Sequence, residues 1–237
     1  MLDFVLDNKK KNSYAASFGS DSLPEKYKKT YARMLKEFNN ISVREKSGSD
    51  IIKDLIGKEA SVNVDPVLLL SKEDWGKLAV CSPESEKYIL IYTLAIPKNL
   101  IFEAQKIAKE KNNMKIIWIC DRPAMKSKYH GIDFRSFVSP EEFITLYKNA
   151  SYVMTNTFHG AVFSVIFEKQ FITENSYEGW KNGRGENLLS LLSIPERDLS
   201  QGVSQVIDKP VDYKHVEEII KYERQKSNEY LRGIISE

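Results

Sequence analysis

Apolar residues recur along this chain in two alternating rhythms. One is a three-to-four spacing broken by lysines and glutamates; the other is a short, nearly continuous apolar run. PEKYKKTYARMLKEF shows the first, with Tyr27, Tyr31, Met34, Leu35 and Phe38 on one side and Pro24 at its start, and it predicts an amphipathic helix. KNSYAASFG, before it, reads as a short strand from Ser13 to Ser17 ending in a loop at Gly19. ISVRE is strand-like. SGSDIIKDLIG has the Ser/Asp opening and Gly ending of a short helix, and ASVNVDPVLLL reads as a strand running into a turn at Asp65-Pro66. Residues 71–87, SKEDWGKLAVCSPESEK, are polar and broken. A lobe boundary is placed there, giving lobes 1–82 and 83–237.

The rhythm then restarts. KYILIYTL and MKIIWIC are continuous apolar strands, as expected of strands covered on both faces, with the helix NLIFEAQKIAKEKN between them. PEEFITLYKNA is a helix opened by Pro140, where Glu141 and Glu142 suit the helix dipole. SYVMTN is a third strand, HGAVFSVIFEK a buried helix, QFITEN a fourth strand and GENLLSLLSI a helix. From Asp212 onward one long helix presents Val216, Ile219, Ile220, Tyr230, Leu231 and Ile234 on its buried side. Alternating strands and helices imply a parallel sheet covered by helices. The second half reads as a complete doubly wound α/β lobe. The first half reads as only the back part of one, with about three strands and two helices after a lysine-rich opening.

Composition narrows the partners. The chain has 237 residues, 42% of them hydrophobic, enough to bury a real core. Its net charge of only +2, without a basic stripe, argues against nucleic acid. Lys9 to Lys11 and Lys26, Lys28 and Lys29 read as solvated faces, with attraction of an anionic substrate or a membrane surface left open. Cys81 and Cys120 are far apart and have no metal-like spacing, which fits a reducing compartment. MLDFVLDNKK lacks the basic-then-apolar order of a signal peptide, and no apolar run approaches the ~18 residues of a membrane helix. A cytoplasmic protein is expected, with peripheral membrane contact and oligomeric state both open.

The candidate chemistry lies in TNTFHGAVFSVIF, residues 155–167. Open α/β sheets bind ligands beyond the carboxyl ends of their strands. Thr155, Asn156, Thr157 and His159 fall in such a strand-to-helix turn, with Gly160 at the helix start. A helix N-terminus favours phosphate or carboxylate, and an imidazole there suits general acid or base work. A histidine that merely caps the helix fits the spacing equally well. Arg184, in the Gly-rich NGRGEN loop, and Asn175, ending QFITEN, are further candidates beside that turn. Ser17 and Gly19 end the first strand and are candidates for an opposite wall. His130 and His215 read as surface or cap residues. There is no Asp-x-Asp, no His-Glu-x-x-His and no P-loop, so no metal or nucleotide cofactor is expected.

YKNASYVM before this turn, SPEEF upstream and FIT…NGRGENLLSLL after it resemble the C-terminal signature of the polysaccharide pyruvyl transferase family. SYAASFG, ISVRE and VDPVLLL…W resemble its first lobe in the same order, so the likeness covers roughly residues 11–235. The resemblance implies an α/β fold of two Rossmann-like lobes, of the two-lobed B-type glycosyltransferase kind, here with an incomplete first lobe. It implies transfer of pyruvate from phosphoenolpyruvate to a sugar of a cell-surface polysaccharide precursor, free or lipid-linked. His159 matches the family histidine that meets the donor, and Arg44 the arginine of the first-lobe motif. Many members carry an arginine where this chain has Thr157. Two other readings stay open: a nucleotide-sugar glycosyltransferase on the same scaffold, and a truncated non-catalytic remnant. Arg44 also has a simpler reading, pairing with Glu45 or another carboxylate at its strand end.

Overall fold

The computed structural model describes residues 9–80, 86–94, 98–120, 129–177, 180–181, 183–203 and 206–236, with 5 and 84. Cys81, Asn182 of the Gly-rich loop, the expected boundary at 82/83 and most of MLDFVLDNKK lie outside these residues. The chain divides into two compact units, Met1–Leu69 with Glu217–Glu237, and Leu70–Val216. This division differs from the expected 1–82 and 83–237. Residues 72–76 form a short helix whose Trp75 packs edge-on against Phe163 of the second unit, with ring centroids 5.2 Å apart. The last helix, in turn, bonds to backbone at positions 13, 64 and 68.

In the first unit, α1 (Glu25–Lys36) and α2 (Lys46–Ile56) pack over two short parallel strands, β1 (Ser42–Val43) and β2 (Ser61–Val62). Leu35, Val43, Ile52 and Ala60 form the core. Gly57 ends α2 with φ 71°, the left-handed turn that its lack of a Cβ permits. The expected strand Ser13–Ser17 is not a strand. Ala15 has φ 46°, which interrupts the extended backbone and leaves only single bridges, Asn12 to Asn40 and Ala16 to Val43. ASVNVDPVLLL likewise pairs only over Ser61–Val62, then turns at Pro66 into a 3₁₀ helix, Pro66–Leu69.

The long helix (Tyr213–Ser236) is the eighth α-helix, α8. Val216 and Ile220 are buried as expected, and so is Ser227, a polar residue no periodicity would select. Its Oγ accepts from Val64 N–H at 3.1 Å and from Asn63 Nδ2 at 3.4 Å, while Tyr230 O–H donates to Ser13 C=O and Arg224 Nε to Leu68 C=O.

The second unit holds a five-stranded parallel sheet, ordered β5-β4-β3-β6-β7. Its strands are β3 (Tyr88–Tyr92), β4 (Lys115–Ile119), β5 (Ile132–Arg135), β6 (Tyr152–Thr155) and β7 (Gln170–Thr173). A two-residue hairpin, β8 (Ser176–Tyr177) with β9 (Trp180–Lys181), follows. The helices are α3 (Lys72–Gly76), α4 (Lys98–Glu110), α5 (Pro140–Asn149), α6 (Phe158–Ile166) and α7 (Gly183–Leu191). β5 was not expected from the sequence. It is a half-exposed edge strand whose Asp133 and Arg135 pair with Lys115 and Glu84. α3, also unexpected, is held by a Ser71/Asp74 capping box.

The chain leaves β3 toward β4 and leaves β6 toward β7, so its direction reverses between β3 and β6. That reversal opens a crevice at their carboxyl ends. On one face, α4 packs over Ile89, Ile91, Trp118, Met154 and Ile172. Phe163 of α6 meets Phe143 at 5.3 Å, Tyr147 at 5.8 Å and Trp75, so one aromatic cluster seats the helix. Arg197 is fully buried after β7. Its guanidinium donates to Gln170 Oε1, to Val206 C=O at 3.1 Å and to Lys209 C=O, tying down the segment before α8.

Phe163→Ala is expected to lower unfolding stability by about 3–5 kcal/mol, because it leaves a cavity among the rings of Trp75, Phe143 and Tyr147. A urea titration reads this as a shifted midpoint. An unchanged midpoint would mean α6 is not held by its aromatic face.

Candidate functional site

Thr155, the last residue of β6, organises the crevice. Its hydroxyl donates to Tyr92 C=O on β3 at 2.7 Å and accepts from Thr157 N–H at 3.1 Å. Thr155 and Thr157 Oγ1 lie 3.1 Å apart. Since a hydroxyl has one proton and that of Thr155 is committed to Tyr92, Thr157 must be the donor of this pair. Thr157 is the N-cap of α6, its Oγ1 accepting from Gly160 N–H at 2.8 Å. The helix therefore begins at Phe158, two residues before the expected start at Gly160. Thr157 is thus a buried hydroxyl committed to its own turn.

Gly160 is required by close approach. A Cβ there would lie 2.1 Å from Thr155 Oγ1 and 2.7 Å from Thr157 Oγ1. Asn156, also buried, accepts from Leu94 N–H at 3.3 Å and so spans the crevice from β6 to the end of β3. His159, one residue into α6, is exposed on the N-terminal turn of the helix. Its ring meets Phe158 edge-on at 5.3 Å, and the Arg184 guanidinium lies over the same Phe158 ring at 5.9 Å. The fold thus gathers His159, Arg184 and the positive end of α6 at one edge of the sheet.

The other candidates have structural partners. Asn175 is fully buried, donating to Asp198 Oδ2 at 2.7 Å and accepting from Thr173 Oγ1 at 3.2 Å. It braces the end of β7 and faces no open space. In the first unit, Arg44 Nη1 donates to Asp65 Oδ2 at 2.5 Å, and Arg44 Nε lies 3.7 Å from Glu45 Oε2. The pairing reading of Arg44 is realised in this geometry, with Asp65 as the main partner. Ser17 O–H donates to Glu45 Oε1 at 2.7 Å, and Ser17 Oγ accepts from Gly19 N–H at 3.0 Å, with Gly19 at φ 70°. Those residues form a tight turn around a buried carboxylate.

Sequence reasoning passed over Glu174. It follows β7 directly, and its N–H donates to Thr155 C=O at 2.9 Å. Its side chain is 2% exposed, accepts a long 3.4 Å bond from Asn99 Nδ2, and has a second carboxylate oxygen with no hydrogen-bond partner among the described residues. Burial raises its pKa, and nearby Asp198 adds to the rise, while the Asn99 bond opposes it. The polar triplet Thr-Glu-Asn at the end of an apolar strand was the available signal.

The polysaccharide pyruvyl transferase family model matches residues 1–175. The chain belongs to that family. The match takes in Arg44, the turn carrying His159, and Asn175, and it ends before Arg184. No individual curated protein matches. Among solved structures, UDP-GlcNAc 2-epimerase of Methanocaldococcus jannaschii in complex with UDP-GlcNAc and UDP is 14% identical, over 79% of this chain and 61% of that one, with a TM-score of 0.51. The S. aureus MnaA–UDP structure is 10% identical over 95% of this chain and 69% of that one, at 0.56. UDP-N-acetylglucosamine 2-epimerase from Rickettsia bellii is 14% identical over 95% and 66%, at 0.54. The chain thus spans 61% of the length of the first of these. At such identities the likeness shows the fold, α/β of the two-lobed, Rossmann-like B-type kind.

Two outcomes check the geometry. Gly160→Ala should lower stability by about 1–3 kcal/mol, since the methyl group overpacks a buried threonine pair; equilibrium unfolding measures it. Glu174 is held above its unfolded value, so its charge opposes folding once the pH rises past the ordinary 4.5. Glu174→Gln should therefore be more stable than the native chain at neutral pH. That advantage should fade as the pH falls below 4.5, where both states bind the proton. Thermal unfolding across pH reads the crossover.

Proposed function

We propose that the chain transfers a pyruvyl group from phosphoenolpyruvate to two hydroxyls of a sugar in a cell-surface polysaccharide or its precursor. One observation carries this reading beyond the family: an exposed imidazole and a guanidinium flank the same helix N-terminus at the reversal point of the sheet. A helix end with those two side chains suits a ligand bearing both phosphate and carboxylate. Phosphoenolpyruvate is then the donor substrate, and no cofactor takes part. Among the described residues no helix is long and apolar enough to cross a membrane. A cytoplasmic enzyme meeting a lipid-linked acceptor at the membrane surface fits this reading.

The chemistry balances without a redox step. A proton adds to the methylene carbon of the donor, and the adjacent carbon becomes electrophilic. One sugar hydroxyl adds there and loses its proton. The carbon–oxygen bond to phosphate breaks, a second hydroxyl adds to the same carbon and gives up its proton, and phosphate leaves carrying one proton. His159 is the residue for proton transfer or for assisting phosphate departure. Arg184 grips the donor anion in the place that Thr157 leaves without a guanidinium. Arg44, whose guanidinium is paired with Asp65, is a further candidate for binding the donor's anionic groups.

Acceptor-dependent phosphate release from phosphoenolpyruvate tests the reading. His159→Ala should lower kcat by about 10²–10⁴-fold, and Arg184→Ala should raise the KM for phosphoenolpyruvate more than it lowers kcat. Folded protein that is stabilised by a nucleoside diphosphate and not by phosphoenolpyruvate would overturn it in favour of nucleotide-sugar transfer.

A further inference from the structure

One strand over from the His159 turn, a cavity of about 390 Å³ opens between the first turn of α4 and the segment after β7. Its wall includes Asn99, Phe102, Glu103, Glu174, Asp198 and Ser200. Three carboxylates line it and, among the described residues, no lysine or arginine does. Two of those carboxylates are short of donors. Among the described residues Glu174 Oε2 and Glu103 Oε2 are buried without a hydrogen-bond partner, the latter in a long ion pair with Lys106 Nζ at 3.9 Å. Asp198 is satisfied, accepting from Ser200 N–H and from Asn175. Phe102, by contrast, is 65% exposed beside them.

A buried carboxylate oxygen without a donor is costly unless something supplies one. The described lining is acidic and disfavours an anion, so phosphoenolpyruvate is a poor occupant. Among the described residues no three side chains converge in a geometry that could hold a metal ion. What fits is an uncharged molecule with many hydroxyl donors and one apolar face. The volume lies at the small end of ligand cavities, about 300–1,000 Å³, and suits a mono- or disaccharide.

We propose that this cavity seats an uncharged saccharide, with its hydroxyls donating to Glu174 and Glu103 and one face of the ring lying on Phe102. Naming that saccharide the acceptor of pyruvyl transfer rests on the function proposed above; binding of a saccharide here does not. Glu174 N–H bonds to Thr155 C=O, and Thr155 also holds the His159 turn, so the two sites are built on adjacent, paired strands.

The test separates the two ideas. Saturation-transfer NMR on the full chain uses a panel of methyl glycosides of hexoses and N-acetylhexosamines. Phosphoenolpyruvate binding is followed independently by thermal shift. The native chain is expected to bind at least one glycoside. Glu174→Gln and Phe102→Ala are each expected to weaken it tenfold or more, while their response to phosphoenolpyruvate stays within twofold. Glu174→Gln should do so without a lower Tm, so lost binding is not lost folding. If pyruvyl transfer fails but glycosides bind and both variants lose them, the cavity assignment stands and the reaction assignment falls. If no glycoside binds, or if both variants bind as the native chain does, the cavity assignment is overturned, whatever the enzyme does with phosphoenolpyruvate.

Discussion

Much of the second unit's chemistry depends on how Thr155 is bonded. Its side chain joins the carboxyl end of β3 to the first turn of α6, and its backbone carbonyl receives the amide of Glu174. A larger residue would not fit against Gly160, and an apolar one would leave Tyr92 C=O without this donor in the buried crevice. β-branching also suits the residue to the end of a strand. The turn stays still because its polar atoms satisfy one another, while the aromatic cluster under Phe163 holds the helix from behind.

The same sheet edge carries opposite electrostatic characters on neighbouring strands. After β6 come a helix N-terminus, an imidazole and a guanidinium. After β7 come a buried carboxylate and, around it, two more. An anion and a neutral polyol would therefore sort themselves by position, without a metal to order them. Retaining a carboxyl group whose pKa is raised by burial works against stability, a pattern common where a site needs a group that the fold does not.

Strands β3, β4, β6 and β7 were legible because both of their faces are covered, so their apolar runs are unbroken. β5 was not, because an edge strand with Asp133 and Arg135 looks like loop. The stretch 13–17 misled for the opposite reason. Its residues suit a strand, but a single left-handed Ala15 breaks the ladder, and no residue type announces that. The His159 turn could be read from strand-then-helix order and the glycine. The environment of Glu174 could not, since Asn99 stands 75 residues away and only the sheet brings them together. Ser227 was invisible for a similar reason: it is a polar residue buried in a helix because amides from β2's end point at it.

Arg197 shows how one side chain can license freedom elsewhere. Its guanidinium reads main-chain oxygens at positions 206 and 209, and every amino acid supplies those. Side chains at 206 and 209 can then drift in ancestry without loosening this particular grip, provided the path of the backbone is kept. The arginine itself has no such latitude. A lysine would offer one compact ammonium to acceptors that a planar fork meets from two directions. Variation among relatives should pile up around this position and stop at it.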